Sequence, residues 1–175
     1  RRMDIRYSRR VNGCLFIFRK IKRRFKKKKG FMDFKELKEQ IKTHEGFRDT
    51  IYLDSLGKKT IGYGHLITAT DKFVSEKRYS IKDLNRVFEY DFQIAVDGAK
   101  RVTNYDKLHD KAKEVVIEAV FVLGARGFSL FKLCIGHLNE GRYSQGAEEL
   151  KDSLWYKKQA FNRVLALCNK LEAII

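Results

Sequence analysis

The chain has 175 residues, 43% of them apolar, with 13 Phe and 8 Tyr; that is enough for one ordinary domain with a real core, and too apolar for a disordered polymer. Proline is absent, which removes the commonest helix breaker and favours a helix-rich fold. The net charge of +16 is unevenly placed: residues 1–31 hold fourteen Lys and Arg against the single acid Asp4 and so carry +13, leaving only +3 for the rest.

Three cysteines, Cys14, Cys134 and Cys168, are odd in number and widely spaced, which excludes a disulfide framework and a zinc site. They read as free thiols of a reducing cytoplasm, the later two in the core. No apolar run approaches the ~20 residues of a membrane-spanning helix. Cys14–Phe18 follows basic residues but is too short for a secretory h-region, so no classical signal peptide is read.

Residues 1–31 are expected to form a basic arm and residues 32–175 the folded domain. The chain opens on Arg1, and Met32 looks like a natural start. Within the arm Val11, Cys14, Leu15, Phe18, Ile21 and Phe25 fall near one helical face among Arg and Lys. That pattern suits contact with an anionic membrane or lipopolysaccharide; a solvated tail is an equal alternative. Lys26–Lys29 also leaves open a binder of nucleic acid through phosphate contacts.

Phe34, Leu37 and Ile41 mark an amphipathic helix closed by Gly46 as a left-handed cap. Residues 50–53 and 59–63 read as two short strands around an Asp54-Ser-Leu-Gly57 turn. Ser80 and Asp83 form a capping box for a long helix over about 81–101, with Leu84, Val87, Phe88, Phe92 and Ala95 inward. Val115, Val116, Ala119, Val120 and Leu123 mark a buried helix broken at Gly124–Gly127. Phe131, Cys134, Ile135 and Leu138 mark another, ended by Gly141, and two more follow over 143–150 and from Ala160 onward. The fold class is therefore α+β: a small antiparallel sheet lobe and a helical C-terminal lobe, joined by one long helix.

The chemistry lies in residues 45–65. This stretch places one carboxylate, Glu45, at the end of a helix and another, Asp54, in a tight turn; a hydroxyl, Thr60, follows on the return strand. Hydrolysis of a glycosidic bond needs two carboxyl groups with different tasks, one giving a proton and one staying ionised. The negative end of the helix dipole disfavours the Glu45 anion, while turn N–H groups and solvent suit an Asp54 anion, so their environments divide the tasks. Gly62 and Gly64 would let a saccharide approach the backbone, and Tyr52 and Tyr63 are placed to line a cleft. The Gly-Tyr-Gly-His run lacks the Lys-Ser/Thr of a P-loop. His44-Glu45 is not a zinc motif, because Arg48 stands four positions after His44.

The pattern Glu45, eight residues, Asp54, five residues, Thr60, then Ile61-Gly62-x-Gly64-His65 resembles the catalytic hairpin of the T-even phage lysozymes, glycoside hydrolase family 24. The resemblance extends over roughly Phe34–Ala173, through Ser80–Phe88 with Asp91, Val120-Phe121-x-x-Gly124, Trp155-Tyr156 and Asn162-Arg163. It implies a two-lobed lysozyme fold and a muramidase that cleaves the β-1,4 bond between N-acetylmuramic acid and N-acetylglucosamine with inversion. Its carboxyls would then stand roughly 6.5–9.5 Å apart. It also implies Glu45 as general acid, Asp54 as the group that positions water and Thr60 as its holder. Tyr52, Gly64, Leu66, Phe121 and Arg163 become substrate-binding residues, Arg163 pairing with Glu45 and opposing the dipole's effect on it, with the balance left open. His65 and Asp91 are read as a structural ion pair and Trp155 as a core anchor. No cofactor and no metal are implied.

Three departures touch substrate binding: Val122 stands where the family often has Gln, Phe161 where it often has proline, and the Trp155–Arg163 spacing is one residue longer. The expected partner is bacterial peptidoglycan, and the expected state a monomer. The expected setting is the host bacterial cytoplasm, with the enzyme reaching the periplasmic wall after release as a free endolysin.

Overall fold

The computed structural model describes residues 34–174, so the expectations for the arm at 1–31 and for Cys14 lie outside the described residues. Those described fall into two compact units, one of residues 44–88 and one of residues 34–43 with 89–174.

The first unit is built on a three-stranded antiparallel sheet in the order β1 (Arg48–Leu53), β2 (Lys59–Gly62), β3 (His65–Leu66). Ile61, fully buried, points from the central strand into the interior. On the opposite face, register sets a row across all three strands, because Tyr52 pairs with Thr60 and Thr60 with Leu66; directly opposed residues share a face. Between Arg48 and Tyr52 the register slips: these two, four apart on β1, oppose Gly62 and Thr60, two apart on β2. Arg48 and Tyr52, an even number of residues apart, share a face, and the bulge takes up the extra residues between them.

The segment after β3 is tied back to the sheet. Asp71 Oδ2 accepts from the Thr68 amide at 2.8 Å and from its hydroxyl at 2.7 Å. Arg78 pairs with Asp49 at 2.9 Å, and the Tyr79 amide donates to the Asp49 carbonyl. Helix α2 (Ile81–Val102) then begins on the expected box: the Asp83 amide donates to Ser80 Oγ at 3.1 Å while the Ser80 hydroxyl donates to Asp83 Oδ2 at 2.8 Å. Its first turns belong to the first unit and the remainder to the second.

Most of α1 (Lys35–Glu45) belongs to the second unit, where Leu37 and Ile41 are buried and Phe34 meets the Phe92 ring at 6.0 Å. In that unit α4 (Lys132–Asn139) packs on α5 (Tyr143–Asp152), α5 on α6 (Phe161–Glu172), and α6 on α3 (Asp110–Phe128). Residues Val115–Val120 of α3 are all buried, and Gly124, at φ 71°, breaks its helical path as expected. The inward residues expected of α2 are buried without exception. No single helix among the described residues is long and apolar enough to cross a membrane.

Trp155 is buried, with its ring 6.2 Å from Phe131, as a core anchor should be. The chain from Trp155 to Gln159 forms a π-turn, in which the Ala160 amide reaches back five residues to the Trp155 carbonyl at 2.9 Å. A π-turn takes up one residue more than an α-turn. It lies inside the Trp155–Arg163 stretch, where the sequence runs one residue longer than the family pattern.

Cys134 and Cys168 are free and buried. Burial pushes the Cys134 thiol up from 9.0 to about 12, with smaller contributions from Cys168 and Glu149, and burial likewise raises Cys168 to about 11. An unfolded thiol ionises first as pH rises through 9, so stability is full below that point and falls as pH climbs toward the folded values. The unfolding free energy from urea titration should drop between pH 8 and pH 10.5 by on the order of 1 kcal/mol more in the wild type than in Cys134→Ala. Parallel slopes for the two chains would contradict this assignment.

Candidate active site

Five of the eight expected site residues (Glu45, Tyr52, Asp54, Thr60 and Leu66) stand in the first unit with Gly64 as a sixth, and each is placed by a local feature of the chain. Glu45 is the last residue of α1, half-buried, and Gly46 follows at φ 69°, a left-handed conformation that ends the helix there. Gly64, at φ 80°, turns β2 toward β3. A Cβ built on Gly64 would sit 3.1 Å from Glu45 Oε2. The carboxyl of Glu45 therefore rests against the one face of the reversal that has no side chain.

Asp54 closes the β1–β2 turn with both backbone and side chain. Its amide donates to the Lys58 carbonyl at 2.9 Å, and its own carbonyl accepts from Gly57 at 3.0 Å. Asp54 Oδ1 accepts from the amides of Leu56 and Lys58, both at 2.8 Å. These two bonds fix the plane of the carboxylate and leave Oδ2 without a partner among the described residues. The turn chemistry expected from Asp and Gly is present, together with a second amide donor that the sequence did not reveal.

Thr60, on the central strand, is only 3% exposed. Its hydroxyl donates to the Lys58 carbonyl at 3.1 Å, so what it offers a neighbouring water is a lone pair rather than a proton. Tyr52 and Leu66 flank it across the sheet. The Tyr52 phenol is raised above its usual 10.0, first by burial; Arg48 opposes the shift, and the charges of Glu45 and Asp54 add to it. One phenol thus senses both carboxylates, while the Arg48 guanidinium lies 4.9 Å over its ring.

Other expectations are modified. Gly62 does not open the backbone to a saccharide: it is buried, and a Cβ there would face Leu84 at 3.5 Å. Its value lies in φ 67° and in packing. Tyr63 packs between Phe47 and Phe88, at 5.0 and 5.5 Å. His65 Nε2 stands 3.5 Å from Asp71 Oδ2, a neighbour the sequence reading did not name.

Phe121 and Arg163 belong to the second unit. Phe121 is half-buried on α3. Arg163 Nε lies 3.7 Å from Oε1 of Glu118, whose side chain is fully buried. Glu118 was passed over in the sequence, because it sits in an unbroken apolar stretch and carries no motif. Arg48 was passed over as well; without knowledge of the bulge, a lone Arg at a strand start reads as a solvated charge. Among the described residues no group of three or more His, Cys, Asp or Glu could hold a metal ion.

Compared with known proteins, residues 42–173 match the family model described as phage lysozyme. The chain is 30% identical to probable T4-type lysozyme 2 of Dictyostelium discoideum over 156 residues, covering 75% of this chain and 92% of that protein. Probable T4-type lysozyme 1 of the same organism is 26% identical over 160 residues, with the same coverage of each chain.

Replacement of Gly64 tests how the Glu45 carboxyl is seated. Gly64→Ala imposes a strained φ and a methyl 3.1 Å from Glu45 Oε2, so it should destabilise the chain by more than about 1 kcal/mol in urea unfolding. Equal midpoints for variant and wild type would show that the reversal and the carboxyl are not coupled in this way.

Proposed function

Because the chain belongs to the phage lysozyme family and is a lysozyme-type peptidoglycan hydrolase, we propose that it cuts the β-1,4 bond between N-acetylmuramic acid and N-acetylglucosamine with inversion. Glu45 serves as the general acid that protonates the leaving oxygen. Asp54 takes the proton of the attacking water, and Thr60 holds that water through a lone pair. The reading is supported above all by the geometry of the two acids, Glu45 seated against Gly64 at the end of a helix and Asp54 fixed by two amides of its own turn.

The chemistry follows from how the two acids are held. A carboxylate whose plane is fixed by two amides keeps its other oxygen aimed, which suits a base that must orient water before attack. The helix-end carboxyl, seated against a glycine, is the one assigned to the glycosidic oxygen. An inverting enzyme needs the two on opposite sides of the scissile carbon, with space for water between them. Tyr52, Gly64 and Leu66 are proposed sugar contacts of the sheet unit, and Phe121 and Arg163 those of the helical unit.

In this reading the partner is bacterial peptidoglycan, the protein acts as a monomer, and its role is that of an endolysin. It accumulates in the host cytoplasm and reaches the wall after release. Residues 1–31 add contact with anionic lipid or lipopolysaccharide through their fourteen basic side chains. The Dictyostelium relatives favour a second setting for the same hydrolysis, outside a phage lysis programme.

Two experiments test these roles. Glu45→Gln should lower release of reducing ends from purified peptidoglycan by about 10²–10⁴-fold while leaving the circular dichroism spectrum unchanged; activity within a few-fold of wild type would remove Glu45 from the mechanism. Deleting residues 1–31 should preserve lysis of permeabilised Gram-negative cells and abolish it on intact ones. Unchanged lysis of intact cells would deny the arm a membrane role.

A further inference from the structure

The sheet face carries one charged group that the proposed hydrolysis does not use. Arg48 is exposed, opens β1 shortly after Glu45, and holds its guanidinium 4.9 Å over the Tyr52 ring. It has no carboxylate partner among the described residues; the adjacent Asp49 is instead engaged by Arg78 at 2.9 Å. Arg48 opposes Gly62 and Tyr52 opposes Thr60, so both stand on the face that bears Thr60.

Held over the ring, the Arg48 side chain makes no hydrogen bond among the described residues, so its N–H donors, in the fork geometry that matches a carboxylate, are available. The surrounding charge gives those donors a purpose. Glu45 and Asp54 both act on the same phenol as Arg48 does, with opposite sign. An anionic substrate approaching that face meets the carboxylate of Asp54, which repels it, and one cation already held in place by an aromatic ring. Bacterial wall glycan is anionic through the carboxylates of its peptide substituents, whereas a plain β-1,4 glycan of N-acetylglucosamine is neutral.

We propose that Arg48, held over Tyr52, is a specificity-determining residue that pairs its guanidinium donors with a carboxylate of the peptide-bearing glycan, so that the anionic wall polymer is preferred over a neutral one. The assignment rests on the hydrolase reading above and deepens it by naming the substrate group that is read. Arg48 takes no part in bond cleavage.

Binding separates this idea from catalysis. Full-length Glu45→Gln chain, with and without Arg48→Gln, is co-sedimented with insoluble peptidoglycan, either native or with its carboxylates converted to amides by carbodiimide coupling. Arg48→Gln should weaken binding to native wall by about fivefold, the upper end for an exposed ion pair, and leave binding to amidated wall unchanged. Lys77→Gln is the charge-matched control, since Lys77 also lies over a tyrosine of the same unit, 5.1 Å from the Tyr79 ring; it should leave the ratio between the two walls as it was. Equal losses on native and amidated wall would mean that Arg48 only supports Tyr52. No loss on either, no binding to native wall, or the same loss from Lys77→Gln would also overturn the proposal. Absence of reducing ends with the wild-type chain would instead sink the hydrolase mechanism, and the binding comparison would still decide the role of Arg48.

Discussion

The carboxyl of Glu45 rests against a place where the chain has no side chain, and the arrangement of the sheet unit depends on that contact. Two glycines create it. Gly46, at φ 69°, stops the helix so that Glu45 is its last residue. Gly64, at φ 80°, reverses the chain and offers a bare Cα to Glu45 Oε2. Both conformations cost any L-residue with a side chain on the order of 1 kcal/mol or more. The acidic group is therefore located in part by backbone geometry at two separate points.

Asp54 is held by the opposite device. Its position comes from hydrogen bonds to its own turn, two amides converging on one oxygen. The two acids thus differ in what constrains them, which is the condition for giving them different tasks. Between them the sheet supplies a row of three residues in strict register, with the buried Thr60 at its centre and Tyr52 and Leu66 at its flanks. Arg48 shares that face and holds its guanidinium 4.9 Å over the Tyr52 ring.

Much of this was legible in the sequence, for identifiable reasons. Apolar spacing placed α1, α2 and α3 and their inward residues, because helical period is a strong signal over three or more turns. Ser80 with Asp83, Gly124 and Gly141 punctuated the helices where their chemistry says they must. What escaped were features that depend on pairing or on single turns. Strand β3 has two residues, His65 and Leu66, too few to show alternation. The slip between Arg48 and Tyr52 leaves no mark on a one-dimensional pattern. Gly62 looked like an opening for sugar and is instead packed against Leu84, since a glycine's φ requirement and its spatial surroundings cannot be separated by composition. The π-turn at Trp155–Gln159 was visible only as a spacing one residue too long.

The candidate site residues could be named from the sequence because hydrolysis asks for particular groups at a particular spacing, and the stretch between Glu45 and Thr60 is short enough for sequence distance to stand in for distance in space. The central claim is that a half-buried helix-end acid and an amide-fixed turn base work on opposite sides of one sugar carbon, with a water between them. The most direct measurement is the anomeric form of the first product, followed by proton nuclear magnetic resonance during cleavage of a soluble peptidoglycan oligomer, before mutarotation sets in. Attack by water from the face opposite the leaving group predicts that the α-anomer appears first and the β-anomer only later. If the β-anomer appeared first, attack would have passed through a covalent sugar–enzyme intermediate, and the role assigned to Asp54 would be wrong.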